Sequence, residues 1–427
     1  MTGWLLIPFA LLLLTGAPIA FALVLAAFSF LSAWGTISFD VIAQKMFGGI
    51  DSFPLMAIPF FILAGELMNA TGITVRLVRF AGLIVGRVPG GLAQANVVAS
   101  ILFAGLTGAG VADTSAIGSI LIPAMIEEGY TPEYSAAVTA SSSVIGPIIP
   151  PSIVMVIYGS TVGLSIGALF AAGFIPGLLV GLGLMVVCHY YAIKLDHPRR
   201  VEPVTVKEFL IGFKDAFIAL LMPLIIIGGI LSGIFTPTEA AAVAVGYALL
   251  AGVFVFNSLT LESVMQCLAK TARTSSIILF IIGCAAVFGW AMTVERVPQQ
   301  IAALFLSITD SPTVMLMLIN IFLLIMGMFM ETGANVIILA PILAPIAVKF
   351  GIHPLHFALV MIVNLNIGLA TPPLGVCLFV ACPIAGVTLE ELTKAILPFI
   401  LVEIAVLLLI TYVPWLVLIV PRMLGFA

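Results

Sequence analysis

The chain has 427 residues, of which 63% are hydrophobic and only 8% charged, and its net charge is −4. Soluble domains carry roughly 25% charged residues, so the composition describes a chain that crosses a membrane many times. The small net charge and the lack of a basic arm exclude nucleic-acid binding. The cysteines, Cys188, Cys267, Cys284, Cys377 and Cys382, sit in apolar runs without metal-ligand spacing and read as small packing residues.

The first segments, Trp4 to Thr15 and Gly16 to Trp34, read as two helices joined by a tight Gly-Ala-Pro turn. The start, Met1-Thr2-Gly3-Trp4, lacks the basic stretch of a signal peptide, so the first helix is expected to be retained. Ser38 to Ile50 reads as an amphipathic segment on the membrane surface, and Phe53 to Asn69 as a crossing. Ile73 to Val88 carries Arg76, Arg79 and Arg87 among apolar residues and reads as an interfacial arm. Residues 91–128 form an apolar block interrupted by the small and polar run Thr107 to Ser115. Each remaining arm is shorter than the roughly 20 residues a crossing needs, which predicts a re-entrant hairpin. A broken helix follows over 132–160, then a crossing from Val162 to Ile193.

The polar stretch 194–214 reads as a cytoplasmic linker between a first repeat, 1–193, and a second, 215–427. The second repeat follows the same plan. Two helices (Asp215 to Ile234 and Pro237 to Asn257) precede an amphipathic segment (Leu261 to Arg273) and a crossing (Ser275 to Thr293). Then come an arm (Val297 to Thr309), a hairpin over 313–350, a broken helix over 354–383 and a last crossing from Ala395 to Val420.

Two motifs carry the repeat: GPIIPPSI, Gly146 to Ile153, and GLATPPLG, Gly368 to Gly375. Each puts Pro-Pro inside an apolar run, where a proline removes a backbone N–H and breaks the helix. Broken backbone at membrane depth is tolerated only where protein or a water-filled cavity serves its polar groups. Gly129, Pro132, Gly146, Pro150 and Pro151 match Gly351, Pro354, Gly368, Pro372 and Pro373 at an offset of 222 (351 − 129). Upstream, Asp113-Thr114 and Pro123 match Glu331-Thr332 and Pro341 at 218 (331 − 113), which predicts a four-residue insertion in the second copy. Gly65 and Met68 match Gly289 and Met292.

With the N-terminus outside, Arg76, Arg79, Arg87, Lys194, Arg199, Arg200, Lys207, Lys214, Lys270, Arg273 and Lys394 fall inside, which is eleven of the 15 positive residues. The positive-inside rule selects that orientation, with both termini periplasmic and the repeats inverted. The expected fold is therefore an all-α polytopic membrane protein with inverted-topology repeats, each holding a re-entrant hairpin and a broken transmembrane helix. That is the plan of secondary transporters. The hairpin tips and breaks would gather Thr107, Asp113, Thr114, Ser115, Ser141, Ser142 and Ser143 with Glu331, Thr332, Asn335, Asn364, Asn366 and Thr371 near the midplane. Hydroxyls, amides, freed carbonyls and two carboxylates suit a hard cation such as Na⁺, while half-helix N-termini suit an anion. Other acids say less. Glu66 and Glu239 read as helix-end or packing carboxylates, and Glu403 as lining a helix interface.

The motifs GLTGAGVADTSAIGSILIPAM, SSSVIGPIIPPSI, GMFMETGANVIILAPILAPI and NIGLATPPLGV resemble those of the large membrane subunit of tripartite ATP-independent periplasmic (TRAP) transporters, along essentially the whole chain. The resemblance implies an elevator fold of the ion-transporter superfamily, Na⁺ as coupling ion, and a bacterial inner-membrane location. It also implies a small four-helix membrane subunit and a periplasmic substrate-binding protein as partners, with membrane lipid around the chain. The small subunit is expected as a separate polypeptide. One Na⁺ would sit at Thr107, Ala109, Gly146, Ile149 and Pro151, and a second at Gly327, Glu331, Gly368, Thr371 and Pro373. Substrate contact is expected from Asp113, Thr114, Ser115, Ser142, Ser143, Asn335, Asn364 and Asn366. The substrate is expected to be a small organic acid such as a C4-dicarboxylate or sialic acid. A self-sufficient Na⁺/carboxylate carrier is the alternative within the same superfamily. Hairpin tips would plug an ion channel, and no nucleophile–base pair or His-Glu-x-x-His pattern supports an intramembrane enzyme.

Overall fold

The computed structural model describes residues 3–35, 37–199 and 204–426, leaving aside the side chains at 302 and 304–306. Met1, Thr2 and Arg200, used above for the leader and the charge count, lie outside the described residues. All regular elements among the described residues are helical, and nine helices are long and apolar enough to cross a membrane.

α1 (Gly3–Leu14) and α2 (Ile19–Trp34) form a helical hairpin turned at Gly16. α3 (Asp40–Ile50) is not a free surface helix. It packs along α13 (Leu261–Val294), where a side chain on Gly49 would overlap the Ala286 methyl. α13 runs unbroken for 34 residues, which corrects the expected separation of an amphipathic segment from a crossing. Its counterpart is interrupted: α4 (Ala57–Ala70) starts only after a 3-10 turn at Phe53–Met56. One residue accounts for this. Pro54 has no N–H to continue a helix, and the offset that pairs Gly65 with Gly289 (289 − 65 = 224) places Ile278 at the corresponding position.

α5 (Ile73–Val85) is the first arm, and α6 (Gly91–Thr107) with α7 (Gly110–Glu127) the first hairpin. The first broken helix is α8 (Pro132–Ser142), a 3-10 turn at Ser143–Ile145, and α9 (Ile153–Val162). α10 (Ile166–Lys194) closes the first repeat. α11 (Val206–Leu231) begins inside the stretch expected to be linker, because Thr205 and Glu208 form a capping box there. α12 (Pro237–Leu250) ends in a π-helical turn at Ala251–Val255. After α13 come the arm α14 (Val297–Ile308) and the hairpin of α15 (Pro312–Phe329) and α16 (Thr332–Lys349). The second broken helix is α17 (Pro354–Ile367), a 3-10 turn at Gly368–Ala370, and α18 (Val376–Ala385). The expected last crossing is two helices, α19 (Leu389–Tyr412) and α20 (Pro414–Met423), divided where Pro414 ends the run.

The helices sort into two bundles. α1–α4 pack with α11–α13, while both hairpins and both broken helices pack with α10, α19 and α20. α10 and α19 therefore belong with the hairpins. Small residues allow it: a Cβ on Gly173 of α10 would stand 2.5 Å from the Ile148 carbonyl oxygen, and one on Gly181 would stand 2.6 Å from Ile101 Cδ1. The repeats interlock, since α18 packs on α7 and α8 while α9 packs on α16. The arms bridge the bundles, α5 between α6 and α11 and α14 between α13 and α16.

The second arms of the hairpins correct the repeat register. α7 and α16 have 18 residues each and start 222 apart (332 − 110). The offset of 222 thus runs through the hairpin, and the expected insertion does not exist. Pro123 pairs with Pro345, Asp113 with Asn335, and Ala109 with Glu331. The match of Asp113 to Glu331 was a coincidence of charge.

Candidate functional site

Spacing alone frees carbonyls at each break. An α-helical bond to the Gly146 carbonyl would come from residue 150, and one to the Pro147 carbonyl from residue 151; both are prolines and have no N–H. The Ser152 hydroxyl donates to the Pro147 carbonyl at 2.6 Å and also caps α9 by accepting from Met155 N at 3.2 Å. Among the described residues, no backbone N–H is donated to the carbonyls of Gly146, Ile149 or Pro151. The second break repeats the spacing, with Gly368 and Leu369 four residues before Pro372 and Pro373. There the Thr371 hydroxyl donates to the Ile367 carbonyl at 2.7 Å.

Each hairpin tip presses against its break. Gly108, at φ 61°, closes α6, and a Cβ on it would stand 2.5 Å from the Pro151 carbonyl oxygen. No other residue fits that turn and that approach. In the second repeat a side chain on Gly368 would overlap the Gly327 carbonyl group. Leu374 N donates to the Met328 carbonyl at 3.2 Å, and the Thr332 hydroxyl donates to the Leu365 carbonyl at 3.3 Å.

Asp113 is fully buried in the first turn of α7. The Thr107 hydroxyl donates to its Oδ1, while Oδ2 lies against the Gly146 Cα and has no hydrogen-bond partner among the described residues. A buried acceptor left unpaired is costly, and here it is aimed at the break with the freed carbonyls. Asn335 holds the equivalent place with the opposite polarity. Its Nδ2 donates to the Met330 and Met326 carbonyls at 3.0 and 3.2 Å, and its Oδ1 is unpaired. Both side chains tie the second arm of a hairpin to the end of the first. The residue that answers to Thr107 is Phe329, which has no hydroxyl to give, so the second repeat uses an amide that donates to carbonyls.

The expected site residues separate accordingly. Thr107, Ala109, Gly146, Ile149 and Pro151 come together at the first tip and break, with Ile149 and Pro151 buried. Gly327, Gly368, Thr371 and Pro373 come together at the second, where Pro373 is exposed. Glu331 is placed differently from the expectation. Its carboxylate is exposed and accepts from Ala334 N at 3.1 Å, capping α16 rather than turning to the break. The Thr114 and Ser143 hydroxyls donate back to the Gly110 and Thr139 carbonyls at 2.9 and 2.7 Å. Ser142 lies behind the break, accepting from Ser100 Oγ at 2.9 Å and donating to Asn96 Oδ1 at 3.2 Å. Asn364 mirrors it, donating to Asn320 Oδ1 at 2.9 Å. Asn366 is fully buried with neither amide atom partnered among the described residues. Ser115 is exposed, away from Asp113 and Thr114.

Sequence reasoning missed Asn96, Ser100 and Asn320, which fasten the first arm of each hairpin to its broken helix. Isolated amides and hydroxyls inside apolar runs were the available signal. No Lys or Arg occurs between Arg87 and Lys194. An anion at the centre would meet helix N-termini and amides, not a guanidinium or ammonium group.

Two broken helices, each met by a hairpin tip inside one bundle, define a polytopic membrane transporter. The family described as "Tripartite ATP-independent periplasmic transporter, DctM component" matches residues 6–416, and the chain belongs to it. It is 46% identical over 95% of its length to the isethionate TRAP transporter permease protein DctMQ of Oleidesulfovibrio alaskensis, of which it spans 64%. It is 41% identical to the sialic acid TRAP transporter large permease protein SiaM of Vibrio cholerae, covering 99% of this chain and 97% of that one. With the C4-dicarboxylate TRAP transporter large permease protein DctM of Rhodobacter capsulatus it shares 40% identity over 97% of both chains. Among solved structures, the YdaH transporter of Alcanivorax borkumensis shares the fold, with a TM-score of 0.61 at 17% identity over 91% of this chain and 88% of that one. The chain is thus the large permease of a bacterial tripartite transporter, a multi-pass membrane protein and not an enzyme.

Proposed function

We propose that this permease is a Na⁺-coupled importer that takes a small organic acid from a periplasmic binding protein and carries it inward by an elevator movement. A small membrane subunit clamps the bundle of α1–α4 and α11–α13. The two hairpins, the two broken helices and α10, α19 and α20 travel against it as one body.

The observation that carries this reading is the pressing of each hairpin tip on its break, Gly108 on Pro151 and Gly368 on Gly327. A cation between tip and break would be held largely by main-chain oxygens of both. The carbonyls of Gly146, Ile149 and Pro151 fit a hard monovalent ion at the first site, with the unpaired Asp113 oxygen beside them. At the second, the carbonyls around Gly327, Gly368 and Thr371 and the exposed Pro373 fit the same role. Binding then glues hairpin to broken helix, so the block moves only when intact.

The substrate classes named for the relatives, a sulfonate, a sialic acid and C4-dicarboxylates, share an anionic group on a small polar body. We assign the same class here, met by Asn366 and the N-termini of α9 and α18. The experiment is uptake by the complex reconstituted in liposomes, with and without the binding protein and with choline in place of Na⁺. Uptake should require both the binding protein and Na⁺. Uptake unaltered in choline would overturn the coupling, and uptake without the binding protein would establish a self-sufficient carrier.

A further inference from the structure

Glu403 lies in α19 within the apolar run Pro398 to Ile410 and is fully buried. Neither carboxyl oxygen has a hydrogen-bond partner among the described residues. No other glutamate among them is buried. α19 packs against α8, α10, α17, α18 and α20, so Glu403 belongs to the bundle assigned above to the moving body.

Among the described residues no Lys, Arg or His pairs with it. Tyr134 of α8 and Tyr191 of α10 touch Phe399, one turn away, and Cys188 of α10 lies beside Tyr134. His356 of α17 bonds the Ile410 carbonyl at 2.9 Å, two turns away. Arg422 of α20 is exposed at the far end. On α18, the neighbouring group that can ionise is the thiol of Cys377, buried in that helix's first turn. An ionised carboxylate here would be an unpaired buried charge. Proteins resolve that arrangement by keeping the acid protonated.

We propose that Glu403 is a proton-binding site of the moving bundle, separate from the two main-chain cation sites at the breaks. The proton is the ligand: the neutral carboxyl is the form compatible with the packed bundle, and loss of the proton to solvent leaves a charge that opposes its movement. The proposal does not require Na⁺ to be the ion at the breaks.

The test is isotope-edited infrared spectroscopy of the wild-type transporter in liposomes at neutral pH, with and without ¹³C-carboxyl glutamate. A protonated-carboxyl band that shifts with the glutamate label, and so is not Asp113, is expected; its absence overturns the proposal and means Glu403 is ionised against a bound cation. The Glu403→Gln protein should lose that band, and a band that persists assigns the proton elsewhere and overturns it as well. Wild-type uptake should fall about tenfold per pH unit above the carboxyl's titration point, while Glu403→Gln should show no such decline. An identical alkaline decline in both proteins contradicts the role in movement. If Glu403→Gln fails to accumulate, the labelled wild-type spectrum decides alone.

Discussion

The two hairpin tips have the same backbone and different side chains. At the first, a buried aspartate one turn into α7 accepts from Thr107 and lies on Gly146. At the second, the acid stands at the helix cap, exposed, and a buried asparagine does the tying. What both keep is glycine at the approach and Pro-Pro four residues further on. The cation sites proposed at these places would therefore rest on carbonyl geometry, which two repeats can share while their side chains diverge.

That comparison can be broken most severely at Gly368. An added methyl there meets the Gly327 backbone, which cannot turn aside, whereas at Gly146 it meets the Asp113 carboxyl, which can. Gly368→Ala should therefore lower apparent Na⁺ affinity well over tenfold, an effect at the upper end of overpacking, about 3 kcal/mol. Na⁺ dependence of uptake, normalised to protein in the membrane, checks this.

Next in size is Asp113→Asn, which keeps the shape and removes the charge. Losing a charged acceptor at about 1.5 kcal/mol, the low end for such bonds, predicts roughly a tenfold drop in Na⁺ affinity. Gly146→Ala should resemble it, because it displaces the same carboxyl. The double variant should be no worse than either single one. Additive losses would show that the glycine and the aspartate act separately.

Glu331 marks the other side of the comparison. Glu331→Ala should leave Na⁺ affinity unchanged and lower thermal stability by about 1 kcal/mol, the worth of an N-cap. A change in Na⁺ affinity comparable to that of Asp113→Asn would place its carboxylate in the ion site.

The smallest effect concerns the cap of α19. The backbone N–H and hydroxyl of Thr388 hold the Glu391 carboxyl below its ordinary range. A lowered folded value gives stability that is present at neutral pH and lost as pH falls through that value. Melting temperature should not respond to Glu391→Gln in acid, where wild-type Glu391 is also neutral, and should drop slightly at neutral pH.

Hairpins, breaks and arms were legible because Gly and Pro punctuate them: Gly108, Pro132, the Pro-Pro pairs and Gly163 all act through the chain itself. The pairing of the hairpin tips was not. Asp113 and Glu331 look alike as letters, but helix starts at Gly110 and Thr332 put Asn335 opposite Asp113. The chemistry kept was a tether, not a charge. The continuity of α13 hung on a residue that is absent, since Ile278 carries no signal until Pro54 is set beside it. Glu403 was visible as a lone acid in an apolar run, but its burial among α8, α10, α17 and α18 is a tertiary fact.

One cation site in each repeat can be tested by counting the ions that move. In liposomes holding the full complex, substrate accumulation is measured against imposed Na⁺ gradients until net flux is zero. More than one Na⁺ should move per substrate; a balance point that answers to a single Na⁺, or to none, would leave at most one repeat with a site.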